Sequence, residues 1–216
     1  MPVTVVDHPL AQHLLASLRD RNTPPPLFRT ITKRLTIALM LEAVRGLPTV
    51  EVEVETPLEP ATGRRVYPDL VAVPILRAGL GMLEAVTELF PEISVGYVGL
   101  ERDEVTLEPA SYYEKLPPVE GRHVLVLDPM LATGGSAAKA CTNIAAKGPA
   151  QVIFVSVVSA PEGLARMERE HPAVEIYTAS IDRELNSNGY ILPGLGDFGD
   201  RLFGTEPHSG LNRPSE

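Results

Sequence analysis

The stretch that decides the fold runs from Val124 to Ala140 and reads VLVLDPMLATGGSAAKA. Four apolar residues lead to a lone acid, Asp128, and a loop rich in glycine and hydroxyl groups precedes a segment that looks helical. A short continuous apolar run is typical of a strand that is buried on both faces of a sheet. The stretch therefore predicts a buried strand, a loop and a helix in succession.

The same alternation recurs along the chain. Comparable apolar runs occur at 70–74, 95–100, 123–127 and 152–158. Segments with helical spacing lie near 79–89, 135–147 and 161–170. This is the pattern of βαβ units, so we predict an α/β fold with an open, mostly parallel sheet flanked by helices. Such sheets bind ligands beyond the carboxyl ends of their strands, which directs the search for a site to the loops after these runs.

The first third of the chain has a different character. Apolar residues recur at helical spacing from Pro9 to Asp20 and from Phe28 to Arg45, which predicts two helices broken by the prolines at 24–26. The segment 49–56, TVEVEVET, alternates apolar with acidic residues and predicts an edge or hairpin strand with one wet face. The second helix has more apolar surface than one stripe needs, so it is a candidate dimer face.

Composition limits the classes of function. The chain has 216 residues, a formal net charge of -9 and one cysteine, Cys141. This negative charge argues against nucleic-acid binding as the general function of the protein. A local site for a small anion is still compatible with it. A lone cysteine without a nearby base predicts a structural thiol and favours a reducing compartment. No signal peptide and no membrane span are predicted, so we expect a soluble, cytoplasmic protein.

The loop after the 123–127 strand has the parts of a phosphate site. It is neither a Walker loop nor a dinucleotide fingerprint. Gly134 and Gly135 allow close backbone approach, Thr133 and Ser136 offer hydroxyls, and the first turn of the next helix presents free N–H groups. Asp128 can accept from sugar hydroxyls or from metal-bound water. A loop that only turns the chain and caps the helix explains TGGS equally well by itself, but the neighbouring acid favours a sugar phosphate.

Three further loops carry candidate residues. Arg77 lies in PILRAGLGM, where a guanidinium can fork onto phosphate oxygens, although a surface arginine is the simpler interpretation. Arg102 lies at the start of a polar stretch at 101–118, which we predict to be a long functional loop without a regular core element, although a solvated charge cluster with Glu101, Asp103 and Glu104 is the competing interpretation. The stretch 190–205, YILPGLGDFGDRLFGT, exposes backbone groups suited to the edge of a planar base, or it forms a tight turn.

These motifs together resemble the bacterial uracil phosphoribosyltransferases, nearly from end to end. The resemblance is carried by DHPLAQHLLASLRDRNT, PILRAGLGM, GLERDEVTLEPASYYEKLP, DPMLATGGSA, SAPEGL and YILPGLGDFGDRLFGT. It implies a type I phosphoribosyltransferase fold with a β-arm or hairpin and a hood around 186–205. The single domain would cover 1–205, with a flexible tail at 206–216.

The resemblance also implies a reaction and a set of roles. Uracil and 5-phospho-α-D-ribose 1-diphosphate (PRPP) would give UMP and diphosphate in pyrimidine salvage, with Mg²⁺ bound through PRPP and water rather than by direct protein ligands. The implied PRPP loop comprises Asp128, Pro129, Met130, Leu131, Ala132, Thr133, Gly134, Gly135 and Ser136. Asp128 would hold the ribose hydroxyls near the metal, and Arg77 and Arg102 would bind the diphosphate. Asp197 would contact PRPP and its metal through water.

Uracil would be read by backbone atoms of Ile191, Gly196 and Phe198, next to Asp197. Phe198 departs from the family, which normally has alanine there, so we expect uracil activity with altered base affinity. Two alternatives stay open: a nucleotide-sensing regulator of pyrimidine genes with the same fold, and a phosphoribosyltransferase for another base. The resemblance further implies a homodimer or higher homo-oligomer and GTP as an allosteric effector.

Overall fold

The core of the molecule is a sheet of nine strands, counted within residues 1–66, 70–102 and 109–205, which the computed structural model describes. The side chains of residues 101, 102, 109 and 110 lie outside that description. In chain order the strands are β1 (Val3–Val5), β2 (Thr49–Glu55), β3 (Pro60–Val66), β4 (Leu70–Leu76), β5 (Ser94–Val95), β6 (Tyr97–Arg102), β7 (Pro109–Lys115), β8 (His123–Leu127), β9 (Met130–Leu131), β10 (Gln151–Ser159), β11 (Glu175–Ile181), β12 (Glu184–Leu185) and β13 (Ile191–Leu192). The helices are α1 (Pro9–Arg19), α2 (Pro25–Ala43), α3 (Leu80–Leu89), α4 (Gly135–Ala145), α5 (Pro161–Glu170) and α6 (Phe198–Phe203).

The strand order across the sheet is β1-β11-β10-β8-β4-β6-β7. The short strands β5 and β9 pair with β4 and β10 at its margins. All pairings are parallel except that of β6 with β7, which is antiparallel. The predicted open, mostly parallel α/β sheet is therefore confirmed, and the predicted strand at 123–127 coincides with β8.

Both faces of the central strands are covered, which explains their continuous apolar sequences. In β8, Leu125 and Leu127 belong to the core that contains residues of α1, α2 and α3. Val124 and Val126 belong to the core on the other face, which contains residues of α4 and α5. Because successive side chains of a strand point to opposite faces, neither face of β8 can be polar.

The second helix begins earlier than the sequence predicts. The prolines at 25 and 26 form the first turn of α2 instead of breaking the chain before it. Proline is tolerated there because its missing N–H would have no partner inside the helix. The predicted apolar stripe is buried, including Phe28, Leu35 and Leu39.

The 49–56 strand is half of a separate two-stranded sheet, which we call the arm (β2 and β3). The hairpin prediction is confirmed by the antiparallel register from Thr49↔Val66 to Glu55↔Pro60. The predicted buried face is wrong, because Val50 and Val54 are 39% and 38% exposed. No other layer of the described chain covers these valines enough to bury them.

The long loop predicted at 101–118 is wrong for part of its length. Residues 109–115 form β7 and pair with β6, with Val98 opposite Glu114. Strand pairing with a neighbour satisfies the polar backbone there, which local sequence does not reveal. Residues 103–108 and the predicted tail at 206–216 lie outside the described residues. Among the described helices, none is long and apolar enough to cross a membrane.

Candidate functional site

The TGGS loop forms a small cavity at the carboxyl end of β8. The cavity has a volume of about 170 Å³ and is lined by Asp128, Met130, Leu131, Ala132, Thr133, Gly134, Gly135, Ser136 and Ala137. The predicted PRPP loop is thus brought together around one space, except for Pro129. The carbonyl of Pro129 instead accepts hydrogen bonds from the N–H groups of Val157 and Val158, at 3.0 and 3.1 Å. We call this space the phosphate cavity.

Glycine is required where this loop enters α4. Gly134 has φ +75°, and a Cβ placed there would lie 2.9 Å from the carbonyl oxygen of Gly163 in α5. A Cβ on Gly163 would in turn lie 2.5 Å from the carbonyl oxygen of Ala132. The loop is therefore pressed against α5, with the backbone N–H groups of the first turn of α4 beside the cavity.

Asp128 is a buried carboxyl group whose desolvation cost is offset only in part by neighbouring polar groups. It is 9% exposed, and its Oδ1 accepts a hydrogen bond from the N–H of Met130 at 3.3 Å. Burial raises the pKa of Asp128 to about 7, and the bond from Met130 offsets only part of this rise. A ligand that brings hydroxyl donors or a cation to this carboxylate would relieve its desolvation cost.

A second cavity adjoins the first. It has a volume of about 230 Å³ and is lined by Ala78, Met130, Ala132, Gly189, Tyr190, Ile191, Gly196, Asp197, Phe198 and Gly199. Met130 and Ala132 line both cavities, so the two spaces meet at the β9 segment. The four residues predicted to read uracil are brought together here. We call this space the base cavity.

The wall of the base cavity includes Gly196 and Asp197, the last two residues of the turn between β13 and α6. We call this turn, residues 193–197, the base turn. The Leu192–Pro193 peptide bond is cis, and Gly194 and Gly196 have φ of +57° and +79°. A Cβ on Gly194 would lie 2.1 Å from the carbonyl oxygen of Ile191, so only glycine fits. The predicted glycine-rich wall is thus a tightly folded turn that leads into a short helix.

The ring of Phe198 lies in the core rather than in solvent. The residue is 2% exposed, and its ring meets the Phe28 ring edge to face, with centroids 5.0 Å apart. The residue still contributes to the lining of the base cavity. The Phe198 side chain is therefore accommodated by packing against α2.

Arg77 follows directly after β4 and lines neither cavity, whereas the next residue, Ala78, lines the base cavity. Its Nη2 lies 3.8 Å from Oδ1 of Asp200, and its side chain is 61% exposed. The Leu76–Arg77 peptide bond is cis. An exposed guanidinium at this edge is available to an anion that reaches over the strand ends.

Of the remaining two predicted site residues, the structure describes the side chain of Asp197 but not that of Arg102. Asp197 caps α6, with its Oδ1 accepting from the N–H of Asp200 at 2.9 Å. Arg102 ends β6, and its side chain lies outside the description. Within the described ranges, no group of three or more His, Cys, Asp or Glu gathers as a metal site. A Mg²⁺ ion bound here would need most of its oxygen ligands from substrate and water.

Sequence reasoning missed a polar network behind the base turn. Arg19 and Asp182 form an ion pair with Nη2–Oδ1 and Nη1–Oδ2 distances of 2.6 and 2.7 Å. Hydrogen bonds from this pair and from Arg201 reach Gly194 and Leu195. No local signal identifies the pair, because its members are 163 positions apart in the chain.

Comparisons with known proteins show which proteins the chain is similar to. A family model described as uracil phosphoribosyltransferase matches residues 5–205. A protein of that name from Dictyoglomus thermophilum is 52% identical over 206 residues, covering 94% of this chain and 100% of its own length. Its namesake from Bacillus cereus is 48% identical over 204 residues, covering 94% and 98%. A solved structure of a protein from Aquifex aeolicus has a TM-score of 0.89 and 40% identity, covering 93% of this chain and 97% of its own. The residues that the family model matches include both cavities.

Proposed function

The chain belongs to the uracil phosphoribosyltransferase family, and we propose that its two adjoining cavities hold the two substrates of that reaction. The enzyme transfers the 5-phosphoribosyl group from PRPP to N1 of uracil, giving UMP and diphosphate in pyrimidine salvage. The observation that carries the proposal is the shared wall of Met130 and Ala132, which lets a sugar phosphate and a base meet. The proposal takes residues 1–205 as one catalytic domain.

The phosphate cavity binds the ribose 5-phosphate. Thr133, Gly134, Gly135 and Ser136 offer hydroxyls and backbone N–H groups to a doubly charged phosphate, in the way that helix N-termini bind anions. Asp128 accepts from the ribose hydroxyls. Its raised pKa of about 7 in the free protein supports this role, because the carboxylate gains its missing partners when the sugar arrives.

The diphosphate leaves from C1 while positive charge develops on the sugar ring. Arg77 lies at the strand edge and Arg102 ends β6, so both guanidinium groups are assigned to the departing diphosphate. Mg²⁺, when bound through PRPP and water, supplies further charge neutralisation to this leaving group. Asp128 and Asp197 would hold the water ligands of this ion. This chain then needs no covalent nucleophile.

Uracil lies in the base cavity with its polar edge toward the backbone of Ile191, Gly196 and Phe198. Fixed backbone donors and acceptors match the alternating carbonyl and N–H groups of uracil. Cytosine presents an amino group where uracil has a carbonyl, so it would leave backbone groups of the site unpaired. We therefore expect cytosine to bind far more weakly than uracil. The two glycines with left-handed backbone make this close approach of main chain to base feasible.

The proposed oligomeric state, effector and location each rest on a different feature. A homodimer is proposed because the arm and α2 leave apolar residues exposed, including Leu58 (95%) and Leu41 (61%). GTP is proposed as an effector by analogy with the family alone. A cytoplasmic location is proposed because a single cysteine offers no disulfide framework.

The experiment measures diphosphate release from PRPP with uracil, cytosine, orotate, hypoxanthine or no base, with Mg²⁺ and with or without GTP. We expect diphosphate release only when uracil is the base that is added, with UMP formed in an amount equal to the diphosphate. Equal release with every base would contradict a uracil site. Tight PRPP or UMP binding without turnover would favour the regulator, and turnover with a different base would favour an altered base preference.

A further inference from the structure

We infer that the partly buried ion pair of Arg19 and Asp182 is a positioning device for the base turn, and that uracil affinity depends on it. The inference rests on the proposed function, because it takes the base turn as part of the uracil-binding wall. Neither residue lines the base cavity, so any effect on uracil must pass through the backbone that they hold.

The base turn has little regular structure of its own. The ladder before it, between β12 and β13, consists of the pairs Glu184↔Leu192 and Leu185↔Ile191. After Leu192 the chain passes through two glycines with left-handed backbone before α6 starts. Since no long ladder sets its path, side-chain hydrogen bonds to its backbone decide where the turn lies.

The ion pair binds both polar backbone groups of one residue in this turn. Asp182 Oδ2 accepts from the N–H of Gly194 at 2.9 Å, and Arg19 Nη1 donates to the carbonyl of Gly194 at 2.8 Å. The guanidinium and carboxylate meet as a fork, with both contacts at 2.7 Å or less. A planar fork restricts the orientation of both groups, so the peptide units that they hold are restricted as well.

The pair is itself held by regular elements. Arg19 is the last residue of α1, and Asp182 directly follows β11. The Asp182 side chain is 2% exposed, and its Oδ1 also accepts from Ser180 Oγ at 2.7 Å. The pair therefore fixes the turn to the helix layer and to the sheet at once.

Arg201 of α6 adds a second link to the same helix end. It donates to the carbonyl of Leu195 at 2.7 Å and to the carbonyl of Asp20, the C-cap of α1, at 2.6 Å. Consecutive residues Gly194 and Leu195 are thus bound to the end of α1, immediately before Gly196 and Asp197 reach the base cavity. A displacement of about 1 Å at such a site is enough to cost on the order of a hundredfold in rate.

The test compares Asp182→Asn and Arg19→Lys with wild type in steady-state uracil transfer. Asp182→Asn removes the negative charge of the pair. Arg19→Lys keeps the positive charge but removes the planar guanidinium that binds both carboxylate oxygens. We expect the uracil KM to rise about tenfold or more in Asp182→Asn and less in Arg19→Lys, with a clearly smaller rise in the PRPP KM, because Asp197 is the one residue of the base turn that the proposed function assigns to PRPP. The loop that lines the phosphate cavity, residues 128–136, is called the phosphate loop, and it should be spared because it packs against α5.

Met167→Ala is the matched control for lost stability. Met167 is buried in the core on the other face of the sheet, among residues of α4 and α5. Hydrogen exchange of peptides that cover 190–198 supplies a readout that does not need activity. We expect faster exchange there in Asp182→Asn and wild-type exchange in Met167→Ala.

The outcomes separate the inference from the proposed function. An unchanged uracil KM, equal rises in uracil and PRPP KM, or unchanged exchange at 190–198 in folded Asp182→Asn would overturn the inference. Wild-type protein without uracil transfer would overturn the proposed function, and the exchange comparison would still decide whether the pair holds the turn. Should Asp182→Asn fail to fold, Arg19→Lys carries the same comparison.

Discussion

Asp128 and Asp182 are both buried, and their surroundings move their pKa values in opposite directions. At Asp128 burial dominates and raises the pKa to about 7. At Asp182 burial also acts to raise the pKa, but hydrogen bonds from Arg19, Ser180 and Gly194 outweigh it and hold the pKa below its ordinary value. The contrast fits a carboxyl that awaits a ligand and one that is already satisfied within the fold.

Replacing Asp128 with asparagine should stabilise the ligand-free protein in a pH-dependent way. Because the folded pKa of about 7 lies above the ordinary 3.8, protonation favours the folded state. The stabilisation of the folded state by this protonation is complete below about pH 4 and is lost as the pH rises through 7. Asp128→Asn should therefore unfold with a free energy about 2 to 4 kcal/mol above wild type at pH 8, and nearly equal to it at pH 4.

Urea unfolding at pH 4, 6 and 8 checks this expectation. The exposed Asp7→Asn replacement is the control for a lost carboxylate without burial. A stability difference for Asp128→Asn that does not change with pH would contradict the burial argument. In the same variant we expect PRPP binding to weaken, because the amide cannot accept from two ribose hydroxyls as a carboxylate does.

Phe198→Ala tests what the unusual aromatic residue contributes. Its ring packs on Phe28 and is 2% exposed, so truncation leaves a cavity between α6 and α2. We expect a loss of about 3 to 5 kcal/mol in the free energy of unfolding. We also expect the uracil KM to rise a few-fold, because the start of α6 lines the base cavity and loses its support.

Chemical denaturation and steady-state kinetics with varied uracil measure these two effects. Phe203→Ala is a suitable control, since that ring lies in the same short helix but is 41% exposed. An identical uracil KM in Phe198→Ala and wild type would show that the ring has no part in base affinity.

At the scale of elements, the phosphate loop depends on its packing against α5 as much as on its own sequence. Gly134 combines a left-handed φ with a close approach to Gly163, whereas Gly148 has φ +72° and meets only Glu120 Cγ, at 3.8 Å. The two glycines therefore share the backbone requirement and differ in the space around them.

This pair allows a matched comparison. Gly148→Ala should cost about 1 kcal/mol of stability from backbone strain and leave the PRPP KM unchanged. Gly134→Ala should cost more and raise the PRPP KM at least about tenfold, because the loop must move away from α5 and its N–H groups move with it. Thermal unfolding and PRPP titration measure both, and equal PRPP KM values in the two variants would contradict a packed phosphate loop.

At the scale of the whole molecule, the arm is the part that this fold leaves least covered. Val50, Val54 and Val66 are 38–39% exposed, and Leu58 at its tip is 95% exposed. We expect a second copy of the chain to cover these residues, so that the protein is a dimer in solution. Val54→Glu should weaken that dimer, because a charge would be buried without a partner.

Light scattering of the purified protein over a range of concentrations checks the dimer and its disruption. Leu41→Glu, on the exposed side of α2, tests the other candidate face. Dissociation by Leu41→Glu and not by Val54→Glu would place the interface on α2. A wild-type protein that stays monomeric at every concentration would contradict self-association altogether.

The apolar pattern of the chain was enough to predict a mostly parallel sheet with both faces covered, and local motifs pointed to many of the residues that line the two cavities. Continuous apolar runs such as 123–127 predict strands correctly because burial on both faces excludes polar residues. The phosphate loop was predictable for a similar reason, since all its parts are within ten positions of Asp128. Local chemistry is readable wherever neighbours in the chain are also neighbours in space.

Which of these parts meet, and which contacts hold them, became visible in the folded molecule. The pairing of β7 with β6 and the contact of Phe198 with Phe28 depend on partners that local pattern does not specify. The Arg19–Asp182 pair joins residues 163 positions apart, so neither side chain carries a signal of its role in its own segment. Burial also decided the pKa of Asp128, because desolvation is a property of the folded surroundings and not of the residue itself.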